Sequence, residues 1–230
     1  MIEPTAYLTR IKSLFLQHGD PGRAEGQMRY MRNQFGYYGL KSPETVTLAR
    51  QIFDELGMPE GEQLKALARL CFDDDYREVQ YFALVMVEKS LKKQPPDFID
   101  FLEELITTKS WWDSVDWLAK LTGLHLKKYP DLILPVTGRW MASGNIWLQR
   151  VCLIFQLGYK DRTDFALMQQ YILQIAGSKE FFLQKGAGWA LRQHSRTDPQ
   201  GVTNFIENNP QLAPLTKREG MRLLKKADNY

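Results

Sequence analysis

Cysteine, histidine and strand-like alternation are all scarce in this chain. Its two cysteines, Cys71 and Cys152, give no disulfide framework and do not belong to metal-spaced pairs. Both lie in apolar runs, which predicts buried thiols. The three histidines, His18, His125 and His194, are far apart and lack metal-ligand spacing, so neither a metal nor a cofactor is expected. The chain has no Walker-type loop, no dinucleotide-binding glycine pattern and no nucleophile elbow. No apolar run approaches the length that spans a membrane. Residues 1–18 set Tyr7, Leu8, Ile11, Leu14 and Phe15 among Arg10 and Lys12. That is the pattern of an amphipathic helix, not of a signal-peptide core, and the expectation is a cytoplasmic protein without a membrane partner.

The composition is that of a soluble globular protein, with 44% hydrophobic and 25% charged residues. At 230 residues the chain could hold one large domain or two small ones. The net charge of +3 conceals an uneven distribution. Residues 1–108 carry 13 Lys/Arg against 17 Asp/Glu, a balance of −4; residues 109–230 carry 17 against 10, a balance of +7. A basic second half is compatible with a polyanion partner, and equally with a solubilising surface.

Helix signals dominate. Asp20-Pro21, Ser42-Pro43-Glu44, Pro59-Glu60, Pro95-Pro96-Asp97, Pro130-Asp131 and Asp198-Pro199 all read as helix starts. Pro59, Pro95 and Pro130 fall 36 and 35 residues apart, and Pro199 lies two further steps on, with Thr163-Asp164 near the intervening place. A second series opens near Ser42, Asp75, Ser110, Asn145 and Lys179, also about 35 apart, in which Trp112, Trp147 and Phe182 keep register. Two helices per repeat predict an all-α superhelix, a solenoid of about five to six short HEAT-like repeats over residues 1–230 as a single domain. The second series holds the unusual residues, so it is expected to line the concave face. No self-complementary stripe is evident, and a monomer is the default.

The densest stretch is Lys109-Ser110-Trp111-Trp112-Asp113-Ser114-Val115-Asp116-Trp117. Ser110 and Asp113 read as the cap and first turn of a helix. At 3.6 residues per turn Trp112 and Asp116 share a face, while Trp111, Val115 and Leu118 form a separate packing stripe. In 145–155, from Asn145 to Phe155, only Gln149 and Arg150 interrupt the apolar run after Ile146. A guanidinium buried there needs an anion, either an internal carboxylate such as Asp116 or a phosphate. In 179–192, Lys185, Trp189 and Arg192 form a basic–aromatic–basic ridge suited to a nucleic-acid backbone, and Gly186 and Gly188 point to a close approach to the helix backbone.

Lys-Ser-Trp-Trp-Asp-Ser-Val-Asp at 109–116, Asn-Ile-Trp-Leu-Gln-Arg at 145–150, and Lys-Glu-Phe-Phe-Leu-Gln-Lys at 179–185 with Gly188-Trp189 together resemble the AlkD-like DNA alkylation repair family. Arg29-Tyr30-Met31 and Leu212-Ala213-Pro214-Leu215 extend the likeness over essentially the whole chain. The resemblance implies an alkylpurine DNA glycosylase that acts in base excision repair on alkylated double-stranded DNA and releases cationic N3- and N7-alkylpurines. It assigns Asp116, Trp112 and Trp189 to catalysis and Arg150 and Tyr30 to DNA contact, beside Lys185 and Arg192 as candidate phosphate contacts. The alternative from another class is a non-catalytic helical-repeat binder of DNA or of a protein partner.

Overall fold

The computed structural model describes residues 3–224. Among these residues the regular structure is helical: thirteen α-helices, three single-turn 3-10 segments, and one isolated bridge between Gly36 and Tyr76. The chain divides into two compact units, Met1–Lys109 and Ser110–Tyr230. The first contains α1 (Pro4–His18), α2 (Pro21–Tyr30), α3 (Ser42–Leu56), α4 (Gly61–Asp73), α5 (Arg77–Ser90) and α6 (Phe98–Thr107). The second contains α7 (Trp112–Lys128), α8 (Ile133–Ala142), α9 (Ile146–Ile154), α10 (Phe165–Gln174), α11 (Phe181–His194), α12 (Pro199–Glu207) and α13 (Pro214–Gly220).

The repeat is visible in where the helices begin. Helices α5, α7, α9 and α11 start at residues 77, 112, 146 and 181, and α4, α6, α8, α10 and α12 start at 61, 98, 133, 165 and 199. In the second unit α7, α9, α11 and α13 pack in succession, with α8 and α10 against α9, and α10 and α12 against α11. In the first, α1 packs on α3 and α4, and α5 on both of those helices. The expected amphipathic first helix buries Tyr7, Ile11, Leu14 and Phe15. Burying each such side chain contributes about 1.5–3 kcal/mol. Cys71 and Cys152 are both buried free thiols.

Some helix starts differ from the sequence expectation. Asp20, Asn145, Asp164 and Asp198 each cap a helix through the side chain. Ser42 does not: Lys41 occupies the cap, and the Glu44 carboxylate accepts its backbone N–H at 2.6 Å. Ser110 likewise is not the cap of α7, because the chain stays extended through Trp111 and Trp112 is the first helical residue. The bulky aromatic at the cap is held by packing instead of by a capping hydrogen bond. Its ring lies 5.9 Å from Trp147 and 5.3 Å from Phe182, which are themselves 5.0 Å apart. The aromatic of α7 that meets Trp147 and Phe182 is therefore Trp111, not the in-register Trp112. Val115 and Leu118 are fully buried, so the stripe containing Trp111 is the packing face, and the Trp112–Asp116 face is left for other work.

Candidate active site

Asp116 sits in the second turn of α7, and Arg150 lies 34 residues later on α9. The guanidinium grips the carboxylate with both prongs, Nε to Oδ1 at 2.7 Å and Nη2 to Oδ2 at 2.9 Å. Its remaining terminal nitrogen, Nη1, donates to the Phe182 carbonyl at 2.5 Å, in the first turn of α11. One side chain thus ties three helices, α7, α9 and α11. A bidentate fork of this kind fixes the carboxylate's orientation as well as its charge. The Arg150 side chain is only 4% exposed, whereas that of Asp116 keeps 18%.

Gly186 explains how α11 comes so close. A Cβ at that position would lie 3.1 Å from Arg150 Nη1. Gly188 has a similar reason on the other side, since a Cβ there would meet the Glu219 Cβ at 2.5 Å. The close approach expected from the two glycines is real, and what approaches is the protein itself.

Burial pushes the Asp116 carboxyl above the ordinary aspartate range; Arg150 pulls against this, and Asp113 adds to the rise. The geometry still favours the ionised form, because both oxygens face N–H donors of a group that keeps its proton in proteins.

The exposed side of Asp116 opens on a cavity of about 390 Å³ that Trp189 of α11 also lines, together with Leu124, Phe155 and Tyr159. The Tyr159 hydroxyl donates to the Gly123 carbonyl at 2.7 Å, which pins the end of the α9 segment onto α7. Trp112 is half-buried one turn before Asp116 and does not line this cavity. Tyr30, at the end of α2, belongs to the first unit and is 73% exposed.

Lys185 and Arg192 meet a partner that the sequence reading missed. Glu219 of α13 accepts from Lys185 Nζ at 2.7 Å and from Arg192 Nη1 at 2.6 Å. Hydrogen bonding to Lys185 holds the Glu219 carboxyl below the usual glutamate range. The available signal was spacing: Lys185 and Glu219 are 34 residues apart, as are Asp116 and Arg150. Among the described residues no group of three or more His, Cys, Asp or Glu side chains could hold a metal, and no helix is long and apolar enough to cross a membrane.

The family model of the DNA alkylation repair enzymes matches residues 11–224. The chain belongs to this family. A solved structure of a predicted DNA alkylation repair enzyme from Enterococcus faecalis is 30% identical, with a TM-score of 0.83 over 90% of this chain and 97% of that one. AlkD2 from Streptococcus mutans is 20% identical with a TM-score of 0.61, over 79% of this chain and 89% of that one, and shares the helical-repeat fold. No curated protein matches the chain. As a member of the DNA alkylation repair enzymes, this protein has the role of acting on alkylation damage in DNA. The match extends across both units and takes in Asp116, Arg150 and Trp189.

Proposed function

We propose that this family member is a DNA glycosylase that hydrolyses the N-glycosidic bond of cationic N3- and N7-alkylpurines in duplex DNA, the first step of base excision repair, acting as a cytoplasmic monomer. The observation that carries the reading is the Asp116 carboxylate, held from behind by Arg150 and open in front to a cavity shared with Trp189.

An alkylated purine already bears the positive charge that a general acid would otherwise supply. The C1′–N bond breaks with its electron pair going to the purine, which leaves neutral. The positive charge then resides on the sugar as an oxocarbenium-like species. A carboxylate about 4 Å from that charge stabilises it by at most about 4 kcal/mol at an effective dielectric constant of 20, reduced by the Arg150 cation behind it. Asp116 supplies this charge and accepts a hydrogen bond from the attacking water, whose oxygen forms the new bond to C1′ as its proton passes to the carboxylate and on to solvent. Trp112 and Trp189 offer π-faces to the polarised C–H groups of the sugar and to the cationic base. Arg150, with its fork engaged by Asp116 and Phe182, positions the carboxylate. Tyr30, Lys185 and Arg192 contact the duplex.

A second reading has its own support. Arg150 already compensates the charge of Asp116, as expected of a purely structural ion pair in a non-catalytic helical-repeat binder. Incubating the protein with duplex DNA methylated at N7 of guanine separates the two. Free 7-methylguanine and an abasic site in equal amounts support the glycosylase. Salt-dependent binding with no base released would leave a binder, and no DNA binding at all would point to a protein partner.

A further inference from the structure

Lys185 and Arg192 share their charge with Glu219, so a strand held at Asp116 calls for further cations in the second unit. The cavity beside Asp116 runs along α7, whose exposed face carries Lys120 one turn beyond Asp116 and Lys127 near the helix end. At 1.5 Å per residue these lie about 6 Å and about 16 Å from Asp116 along the axis. Lys127 Nζ sits 5.9 Å from the centre of the Tyr159 ring on the wall of the same cavity. Leu157 is common to this cavity and to a second one of about 340 Å³, bordered by Lys160 and Arg196. The second cavity also presents Gln193, Thr163 and Thr197. Lys127, Lys160 and Arg196 are exposed, and no ion pair engages any of them among the described residues. Of the residues lining the two cavities, Asp116 is the only carboxylate.

We infer that Lys127, Lys160 and Arg196, continuing from Lys120, form a phosphodiester track: a DNA strand with a sugar at Asp116 extends along these two cavities, which share Leu157. The inference rests on the proposed reading, which puts a deoxyribose at Asp116. A strand so placed must carry its flanking phosphates past cations. The row starts one helical turn from the carboxylate, and Lys120 and Lys127, about 10 Å apart along the helix axis, span about three nucleotides at 3.4 Å of rise each. The apolar walls at Leu124, Phe155 and Tyr159 suit sugar edges, and hydroxyls and an amide between the cations suit phosphate oxygens.

The test is the salt dependence of duplex binding by the triple variant K127Q/K160Q/R196Q. A charge-matched control, R50Q/K89Q/R218Q, neutralises three other exposed cations. Each phosphate contact contributes about 0.9 to the slope of log affinity against log salt. The track variant should lose about 2 to 3 from that slope and bind roughly tenfold to a hundredfold more weakly at 0.15 M salt. A slope unchanged from wild type, or lowered no more than in the control, overturns the track. The two readings fail separately. Base release with an unchanged slope removes the track and keeps the glycosylase; track-dependent binding with no release does the reverse.

Discussion

Each unit of this protein buries an acid and an arginine, and the two units use them differently. In the first, Glu78 is fully buried at the start of α5 and accepts the backbone N–H groups of Tyr38, Gly39 and Leu40 at 3.1, 2.9 and 3.1 Å. Its neighbour Arg77 is equally buried, stacked 3.9 Å from the Phe35 ring and donating to the Lys109 carbonyl. Those groups hold irregular backbone that helices alone would leave unsatisfied. In the second unit the acid and the arginine hold each other, and the carboxylate keeps one face at a cavity. A buried charge fully enclosed by backbone donors is structural. One that is fixed from behind and open in front can act on a ligand.

The contrast can be broken most forcefully at Glu78. Replacing it with alanine leaves three buried N–H groups without their acceptor, and should cost about 3–5 kcal/mol of unfolding free energy in urea titration. An equal loss from an exposed acid such as Glu207→Ala would show that its burial is irrelevant. Asp116→Asn sharpens the other side. The amide keeps one acceptor toward Arg150, so duplex binding should stay within a few-fold, while base release falls about 10²–10³-fold.

Gly186→Ala tests whether the guanidinium must sit where it does. The added methyl would press on Arg150 Nη1, costing about 1–3 kcal/mol and moving the acid limb of the rate. That limb has a sign of its own. Burial raises the Asp116 pKa, so wild-type release should fall with decreasing pH above the ordinary aspartate range near 3.9. A rate flat through pH 5 and down to pH 4, after subtraction of uncatalysed release, would contradict an ionised Asp116 as the catalytic charge.

Glu219 gives the smallest effect. Its folded pKa is depressed, so its stabilisation is present above the unfolded glutamate pKa and is lost as pH falls through the folded one. Glu219→Gln should remove about 1 kcal/mol at pH 7 and flatten that acidic part of the stability profile.

Much of this was legible before the structure. The 35-residue register fixed the helix pairs, and the carboxamide or carboxylate before Trp147, Leu167 and Gly201 marked caps that the backbone uses. The demand of a buried Arg150 for an anion left a carboxylate such as Asp116 or a phosphate as its partner, and the fork to Asp116 is there. What was hidden depended on short or aromatic features. The cap of α7 falls at Trp111, one residue beyond Ser110, where the ring packs on Phe182. Glu219 lies on a helix of only seven residues with little periodic signal, so Lys185 and Arg192 looked unattended. The cavity beside Asp116 depends on how the end of α9 meets α7 at Gly123, and no local pattern encodes that contact.

The most direct test is single-turnover release of 7-methylguanine from an alkylated duplex by wild type and D116N, with duplex affinity measured on the same samples. The account predicts release by wild type and a loss of two to three decades in D116N at nearly unchanged affinity. Near wild-type release by D116N would contradict it.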